Sequence, residues 1–599
     1  ASGPARWLLP LALLPVVALH VAANAFPKYR VPLLPLAFAY AGLALALGPR
    51  GLAARLSGRA VAGAALALVA FLIVCFRFAP EARGIWLHGA PKPAAAASES
   101  ESVIAAEPEP AEPPARPGRI LLLSMDTVRA DRVSGYGEAG ITPALARIAA
   151  EGALFRDFYA ASNYTVPSHM SIFTGLDPAE HGVTRNEARL DPAVPTLAEL
   201  LKAAGYRTRA FHEGGLMGER FGFARGFEVY RYYPRVEVVR ESLPSVLAWI
   251  RRHRSEPWFL FLHTYAAHFP YGGFERYRSE HPERGLPSDE ELRALRARFA
   301  GSEMFSDAER RALPEELRIT CSLYNHLADR HGSLLPCGGY ELDEEFRRSP
   351  HYASDMAAIR RSYDERIRLI DVAVASIRET LEDLGQWDDT LLVVTADHGE
   401  AFHEHGLDRH EYVPFEEVLR APLLISYPSW FRGRGGQVIR GAAWHPDLLP
   451  TILSLAGVLL PEGARGVDLS QALSAGGVTE SRAVFPAVLR PVHRPQEPLR
   501  RVTVRDELKW IEGNRAYGPE EGMLFDLAED PGERNDLRAA RPADAAELAA
   551  LTRAYESALR PTRPVHQQSG RPLAEASGGE TLELSDETAE QLRDLGYAE

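Results

Sequence analysis

Residues 119–127 read RILLLSMDT, and residues 390–400 read TLLVVTADHGE. Each opens as a short apolar run, Arg119–Ser124 and Thr390–Thr395, and each closes on an aspartate. Unbroken apolar runs of this length fit strands buried on both faces rather than strands with one wet face. Trp258–His263 (WFLFLH) is a third such run, and Arg207–Phe211 and Ala421–Ile425 are two more. Helical patterns stand between them at Pro143–Gly152, Thr196–Ala204 and Tyr363–Leu384. The alternation predicts an α/β domain, a largely parallel sheet covered by helices. In such sheets ligands gather at the carboxyl ends of the strands. Asp126 and the pair Asp397–His398 are therefore expected at one edge.

Outward from this domain the texture changes in both directions. Towards the N-terminus stand three uncharged apolar runs, Trp7–Phe26, Val31–Gly48 and Ala60–Phe76. Each is long enough to cross a bilayer as a helix. A single run could be a cleaved signal peptide; three in succession predict a retained anchor over residues 1–78. Four basic residues flank the spans on one side (Arg6, Arg50, Arg55, Arg59) and four on the other (Lys28, Arg30, Arg77, Arg83). Charge therefore does not set the orientation. Residues 79–118, including PKPAAAASESESVIAAEPEPAEPPARPG, read as an extended Pro/Ala/Glu-rich linker. The catalytic domain is expected over 119–470, with a polar, Arg/Glu-rich insertion at 272–350. Residues 471–599 read as a smaller α+β subdomain and tail, with short strands near 483–489, 501–504 and 509–512 and a helix over 543–559.

Composition narrows the function classes. The 599 residues carry a formal net charge of −13, which argues against a nucleic-acid partner. Three cysteines without a Cys-x-x-Cys argue against a zinc ribbon. Cys321 and Cys337 are either a disulfide, expected only in an oxidising compartment, or two free thiols.

Three groups of residues carry chemistry. Two strand-end carboxylates, one followed directly by a histidine, suit a divalent cation better than two helix caps. The segment NYTVPSHMSIFTG (163–175) sets Thr165 at a helix start, where backbone donors and the helix dipole favour an anion. Thr165 or Ser168 as a plain N-cap is the alternative. His398, His403, His405 and His410 fall within thirteen residues, and His263 and His268 follow a buried strand. Histidine is the natural proton carrier near neutral pH. His263, His403 and His405 are read as structural, as are Arg129 and Asp131.

Four ordered segments, LLSMDTVRADRVSGYG, TVPSHMSIFTGLDPAEHGV, VVTADHGEAFHEHG and GMLFDLAEDPGERNDL, resemble the sulfatase family of the alkaline phosphatase superfamily. DLLPTILSLAGV and the closing QLRDLGYAE are similar to it too. The resemblance covers roughly residues 119–599. It implies an α/β/α sandwich with a smaller C-terminal sheet subdomain. It also implies a metal held by Asp126, Asp397, His398 and Thr165, with Thr165 as nucleophile. His268 or His410 would protonate the leaving group while the other binds a non-bridging oxygen. Asn186 and His169 are candidates for substrate contact.

The chain departs from true sulfatases in four places. Thr165 and His169 replace the family's Cys-x-Pro-Ser-Arg ends, and threonine would oxidise to a ketone, not to formylglycine. Glu213-Gly214-Gly215 stands where a Lys-x-His would bind sulfate. Thr127 replaces the second Asp of a pair. His398 replaces a frequent Asn. A threonine nucleophile behind an N-terminal anchor is similar to phosphoethanolamine transferases and lipoteichoic acid synthases, whose catalytic domains face outward. The Asp-His pair is similar to phosphonate monoester and phosphodiester hydrolases. These resemblances imply one divalent ion, manganese or zinc before calcium or magnesium, and a membrane-bound, extracytoplasmic enzyme. Its substrate would be an anionic ester, a lipid or glycan headgroup among the options. Phosphoester hydrolysis or transfer is the leading expectation. A sulfatase without formylglycine and a non-catalytic binding protein are the alternatives.

Overall fold

A computed structural model describes residues 116–567, apart from 138–139, 235–240, 299–311, 330–333, 338–343, 462 and 490–498. The three expected spans and most of the linker lie outside the described residues. Among the described residues no helix is long and apolar enough to cross a membrane.

Eight strands build the main sheet: β1 (Arg119–Met125), β2 (Ala153–Phe155), β3 (Arg207–Glu213), β4 (Val229–Tyr233), β5 (Trp258–Thr264), β6 (Thr390–Thr395), β7 (Leu423–Ser426) and β8 (Gln437–Ile439). Their spatial order is β8-β2-β7-β6-β1-β5-β3-β4. β1 pairs in parallel with β5 and β6, and β3 in parallel with β5 and β4. Only β7 runs against its neighbours, β6 and β2. The expected strand at 421–425 is thus real, but it is the antiparallel member.

The apolar runs are continuous because both sheet faces are covered. Leu121, Leu123 and Met125 point into one core, and Ile120 and Leu122 into the other. This is the period of two expected of a strand with helices on both sides. The first core is closed by α1 (Pro143–Glu151), by a helix over Leu243–Arg252 and by a long helix over Tyr352–Asp383. That last helix begins eleven residues before the expected Tyr363, a start hidden in the sequence because its first turns are rich in charge. The second core is closed by α2 (Thr165–Thr174), α3 (Leu197–Ala203) and a helix over Leu448–Leu455. Thr196 and Glu199 form a reciprocal capping box at the start of α3.

The 272–350 insertion is helical where described, with helices at Phe274–Glu280, Asp289–Arg298, Glu315–Leu327 and Glu344–Arg348. Its apolar residues, among them Phe274, Leu323 and Leu327, pack into the first core. Cys321 and Cys337 form a disulfide.

A second sheet of five strands follows: Ala483–Val484, Ala487–Val488, Arg500–Arg505, Leu508–Ile511 and Met523–Asp526. The helix Pro542–Ala558 packs on it. A buried ion pair ties this subdomain to the main domain: both terminal nitrogens of Arg501 donate to Asp177 at 2.8 Å. The Tyr555 hydroxyl donates to the same carboxylate at 2.9 Å. Removing one partner of such a pair strands a charge in a dry interior. Arg501→Ala should therefore cost about 3–5 kcal/mol of stability in urea denaturation; a loss below about 1 kcal/mol would show that the pair does not hold the subdomain.

Candidate active site

Register brings the two acidic strand ends together. Ser124 on β1 lies opposite Thr395 on β6 and His263 on β5. Two residues further on, Asp126 and Asp397 leave adjacent strands on the same edge. Both are fully buried, as are Thr165 and His398. Ligand atoms of Asp126, Asp397 and His398 lie within 4.8 Å of one another.

The local backbone is shaped to present these groups. Thr127 adopts φ +56°, a conformation unfavourable for a β-branched residue. It turns the Thr127 N–H onto Asp397 Oδ1 at 3.1 Å. The Tyr363 hydroxyl holds that turn by donating to the Thr127 carbonyl at 2.7 Å. Gly399 passes so close to the chain that an added Cβ would sit 2.1 Å from the Glu417 carbonyl oxygen. His398 Nδ1 donates to the Gly399 carbonyl at 2.9 Å. That bond fixes the tautomer and leaves Nε2 as the ligand atom.

Thr165 is the first residue of α2, all of whose residues are buried. Neither Thr165 nor Ser168 caps it; the N-cap residue is Tyr164, without a side-chain cap. Ser168 Oγ instead donates to the Ser162 carbonyl and receives the Ser162 N–H. The Thr165 hydroxyl is left at the helix head, 3.4 Å from Asp126 Oδ2 and 3.5 Å from His398 Nε2. Those separations are too long for strong hydrogen bonds.

The electrostatics call for a cation. Asp126 Oδ1 and Asp397 Oδ2 are buried without a hydrogen-bond partner. Burial, and next the repulsion of Asp397, push the Asp126 carboxyl well above its ordinary range. Asp397 is held below its own: burial opposes this, but His398, His169 and His263 and the Thr127 N–H outweigh it. Two carboxylates in one dry pocket cannot both ionise unless a positive charge is shared between them. The donor set of two carboxylates, an imidazole and a hydroxyl fits one divalent ion.

The remaining candidates separate. His268 and His410 join the cluster: the His410 ring is 4.4 Å from that of His398 and 5.4 Å from that of His268. His169 is not placed for substrate contact. Its Nε2 meets Ser124 Oγ at 2.8 Å and its Nδ1 the Thr165 carbonyl at 2.9 Å, so it braces the first turn of α2 from behind. Asn186 makes no hydrogen bond to the cluster, and its carbonyl accepts from Gln567 Nε2 at 2.6 Å. Glu213, which stands where a sulfate-binding lysine would be, is spent inside the protein. It accepts from Ser242, Thr264 and the Tyr265 N–H, and burial pushes it up to about 7.

His263 was undervalued by the sequence reading: its Nε2 lies 3.2 Å from Asp126 Oδ2. His403, His405, Arg129 and Asp131, expected to be structural, each have partners inside the protein. His405 bonds Glu417 at 2.8 Å and stacks on Phe415, while Arg129 bridges Asp131 and Glu404. His445, which no pattern flagged, links the Ala396 carbonyl to the Ala161 N–H and so joins the aspartate loop to the approach of α2.

A doubly covered, largely parallel sheet thus carries at its carboxyl edge a buried carboxylate–histidine–hydroxyl cluster, a donor set that suits one divalent ion. The sulfatase family model matches residues 119–458, more than half of the chain, and the chain belongs to that family. It is 24% identical over 476 residues to an N-acetylglucosamine-6-O-sulfatase of Bacteroides thetaiotaomicron, covering 70% of this chain and 82% of that one. A solved structure in complex with its substrate D-glucosamine-2-N,6-O-disulfate superimposes with a TM-score of 0.56 at 21% identity, over 74% of this chain and 98% of that one. The phosphonate monoester hydrolase of Agrobacterium radiobacter does so with a TM-score of 0.51 at 21% identity, over 74% and 94%. Enzymes of the family use a divalent metal ion.

The site makes a direct prediction. Elemental analysis of the purified protein should find one divalent ion per chain, and Asp397→Ala should lose it. An unchanged metal content in that variant would place the ion elsewhere.

Proposed function

We propose that this chain is a membrane-anchored, metal-dependent hydrolase or transferase of phosphate mono- or diesters, with Thr165 as its nucleophile. The observation that carries this reading is the Thr165 hydroxyl at the head of a buried helix, within 3.5 Å of both Asp126 and His398. Asp126, Asp397, His398 and Thr165 would hold the ion, manganese or zinc by the softness of the set. When bound, it lowers the pKa of the hydroxyl and polarises a substrate oxygen.

The protein's own groups do the rest. Thr165 gives up its hydroxyl proton to solvent, its Oγ attacks phosphorus in line, and the bond to the leaving oxygen breaks. Helix α2 presents its positive end to the anion throughout. His268 and His410 flank the reacting group, one giving a proton to the leaving oxygen and the other contacting a non-bridging oxygen. Water, or an acceptor hydroxyl, then releases the phosphothreonine. Thr165 favours phosphate because an unmodified threonine lacks the aldehyde hydrate of sulfatases.

A second reading has its own support: similar proteins are described as sulfatases, and two of those reported above act on sulfated glucosamine. In that reading a sulfated glycan replaces the phosphoester at the same residues. Aryl phosphate and aryl sulfate turnover separate the two. On the leading reading wild type cleaves the phosphate ester, and Thr165→Ala lowers kcat at least about 10³-fold. A covalent intermediate should show as a phosphoryl mass increment on the tryptic peptide containing Thr165. Turnover of sulfate esters alone would decide for the second reading.

The Cys321–Cys337 disulfide and the apolar runs of residues 1–78 support an extracytoplasmic catalytic domain behind a multi-pass anchor. An alkaline phosphatase reporter fused after residue 118 should be active; activity only from a cytoplasmic reporter at that position would reverse the topology.

A further inference from the structure

The chain reaches α2 through Ala161–Asn163, and this approach is stitched to the C-terminal subdomain. The Ala161 carbonyl accepts the Ala487 N–H at 2.8 Å, and Ser162 bridges Ala487 in parallel. Asn163 continues the seam with its side chain. It is fully buried, accepts the Leu489 N–H at Oδ1 (2.7 Å) and donates from Nδ2 to the Leu489 carbonyl at 3.1 Å. An amide that meets both backbone groups of one residue does what a neighbouring strand would do. The same Nδ2 donates to the His410 carbonyl at 3.0 Å. Two carbonyls need a donor and one N–H needs an acceptor, so only one orientation of the amide satisfies all three.

The loop that carries His410 is strained. Arg409 before it and Tyr412 after it both stand in the left-handed region, at φ +57° and φ +62°. Such conformations persist where the surroundings over-determine them. Asn163 lies two residues, at most about 7 Å of chain, before Thr165. One side chain therefore ties together the helix head that carries Thr165, the main chain that carries His410 and a strand end of the second sheet.

We infer that Asn163 is a positioning residue that sets Thr165 against His410, with the Leu489 backbone as its fixed point, so that the C-terminal subdomain is a working part of the active site. This rests on the function proposed above, in which both groups act on one ester. Released from the amide, the strained loop would carry His410 out of register with Thr165. A displacement of about 1 Å between reacting groups can cost about 100-fold in rate. Asn163 is buried and spends its amide on protein groups, so the loss falls on kcat rather than on KM.

The test uses full-length Asn163→Ala with the 4-nitrophenyl ester of whichever oxyanion the wild type cleaves, and expresses rates per metal-bearing chain. We expect kcat to fall about 50-fold and KM to stay within about threefold of wild type. Leu489→Pro deletes one bond of the clamp from the subdomain side and leaves Asn163 in place. Val488 before it already lies in a strand, the conformation that a following proline favours. This variant should lower kcat about tenfold at unchanged KM, and it carries the test if Asn163→Ala does not fold. Added to Asn163→Ala it should lower kcat no further, because the bond is already gone. A purely structural Asn163 would lower the urea midpoint and leave kcat within about twofold of wild type. That result, a loss confined to KM, or a Leu489→Pro effect undiminished in Asn163→Ala would overturn the inference. Thr165→Ala distinguishes the levels: if it stays active the underlying reading fails, and if it is inactive while Asn163→Ala keeps the wild-type kcat, only this inference fails.

Discussion

Two carboxylates buried side by side, each with an oxygen that no protein donor reaches, are the constraint on which the site depends. A dry pocket tolerates one negative charge when it is well hydrogen-bonded, and it resists two. The protein nevertheless commits four devices to keeping them together. These are the parallel register of β1 and β6, the left-handed Thr127, the side-chain-free passage at Gly399 and the Tyr363 hydroxyl. Strain and burial of this kind persist where the surroundings over-determine them. A divalent cation converts the repulsion into cohesion. The hydroxyl of Thr165 then becomes part of the same electrostatic unit rather than a neighbour of it.

That dependence explains why the residues behind Thr165 are histidines. His169 and His445 are wholly buried, and burial lowers the basicity of both; His445 is brought down to about 3. As neutral rings they add no charge beside the carboxylates: His169 bridges the Thr165 carbonyl to the Ser124 hydroxyl, and His445 bridges two backbone groups. Arginine at position 169, as in the resembled sulfatases, would bring a fixed positive charge to a spot 3.7 Å from Asp397 and compete with a cation for it. The replacement agrees with the proposed use of an unmodified Thr165.

Legibility in the sequence followed physical locality. Strands buried on both faces announced themselves through unbroken apolar runs, so Arg119–Ser124, Trp258–His263 and Thr390–Thr395 were readable to within a residue or so. Direction was not: nothing in Leu423–Ser426 says that it runs against its neighbours. Asp126, Asp397 and His398 were readable because strand ends converge on one edge. His263 was not, because its partner Asp126 is 137 residues away, and a histidine closing an apolar strand looks like a core residue. His169 and Glu213 failed for the opposite reason. Their positions in a motif pointed at the substrate, while their side chains turn inward to Ser124 and Thr264.

Thr127 bears on which ion the proposed enzyme takes. A second aspartate there would add a third carboxylate. Here the Thr127 hydroxyl donates to the Asp126 carbonyl at 2.8 Å and its N–H to Asp397, and the side chain adds no carboxylate. The ligand set is then two carboxylates, one imidazole and one hydroxyl. A divalent ion balances its two negative charges, whereas three carboxylates would leave a net negative site. Calcium favours many hard oxygen ligands, and four donors including a nitrogen serve it poorly. Zinc and manganese are content with such a set. A balanced site also repels an incoming oxyanion less, which suits a doubly charged phosphate monoester more than it matters for a singly charged sulfate ester. On the proposed function, threonine at position 127 thus bears on both the choice of ion and the charge of the substrate.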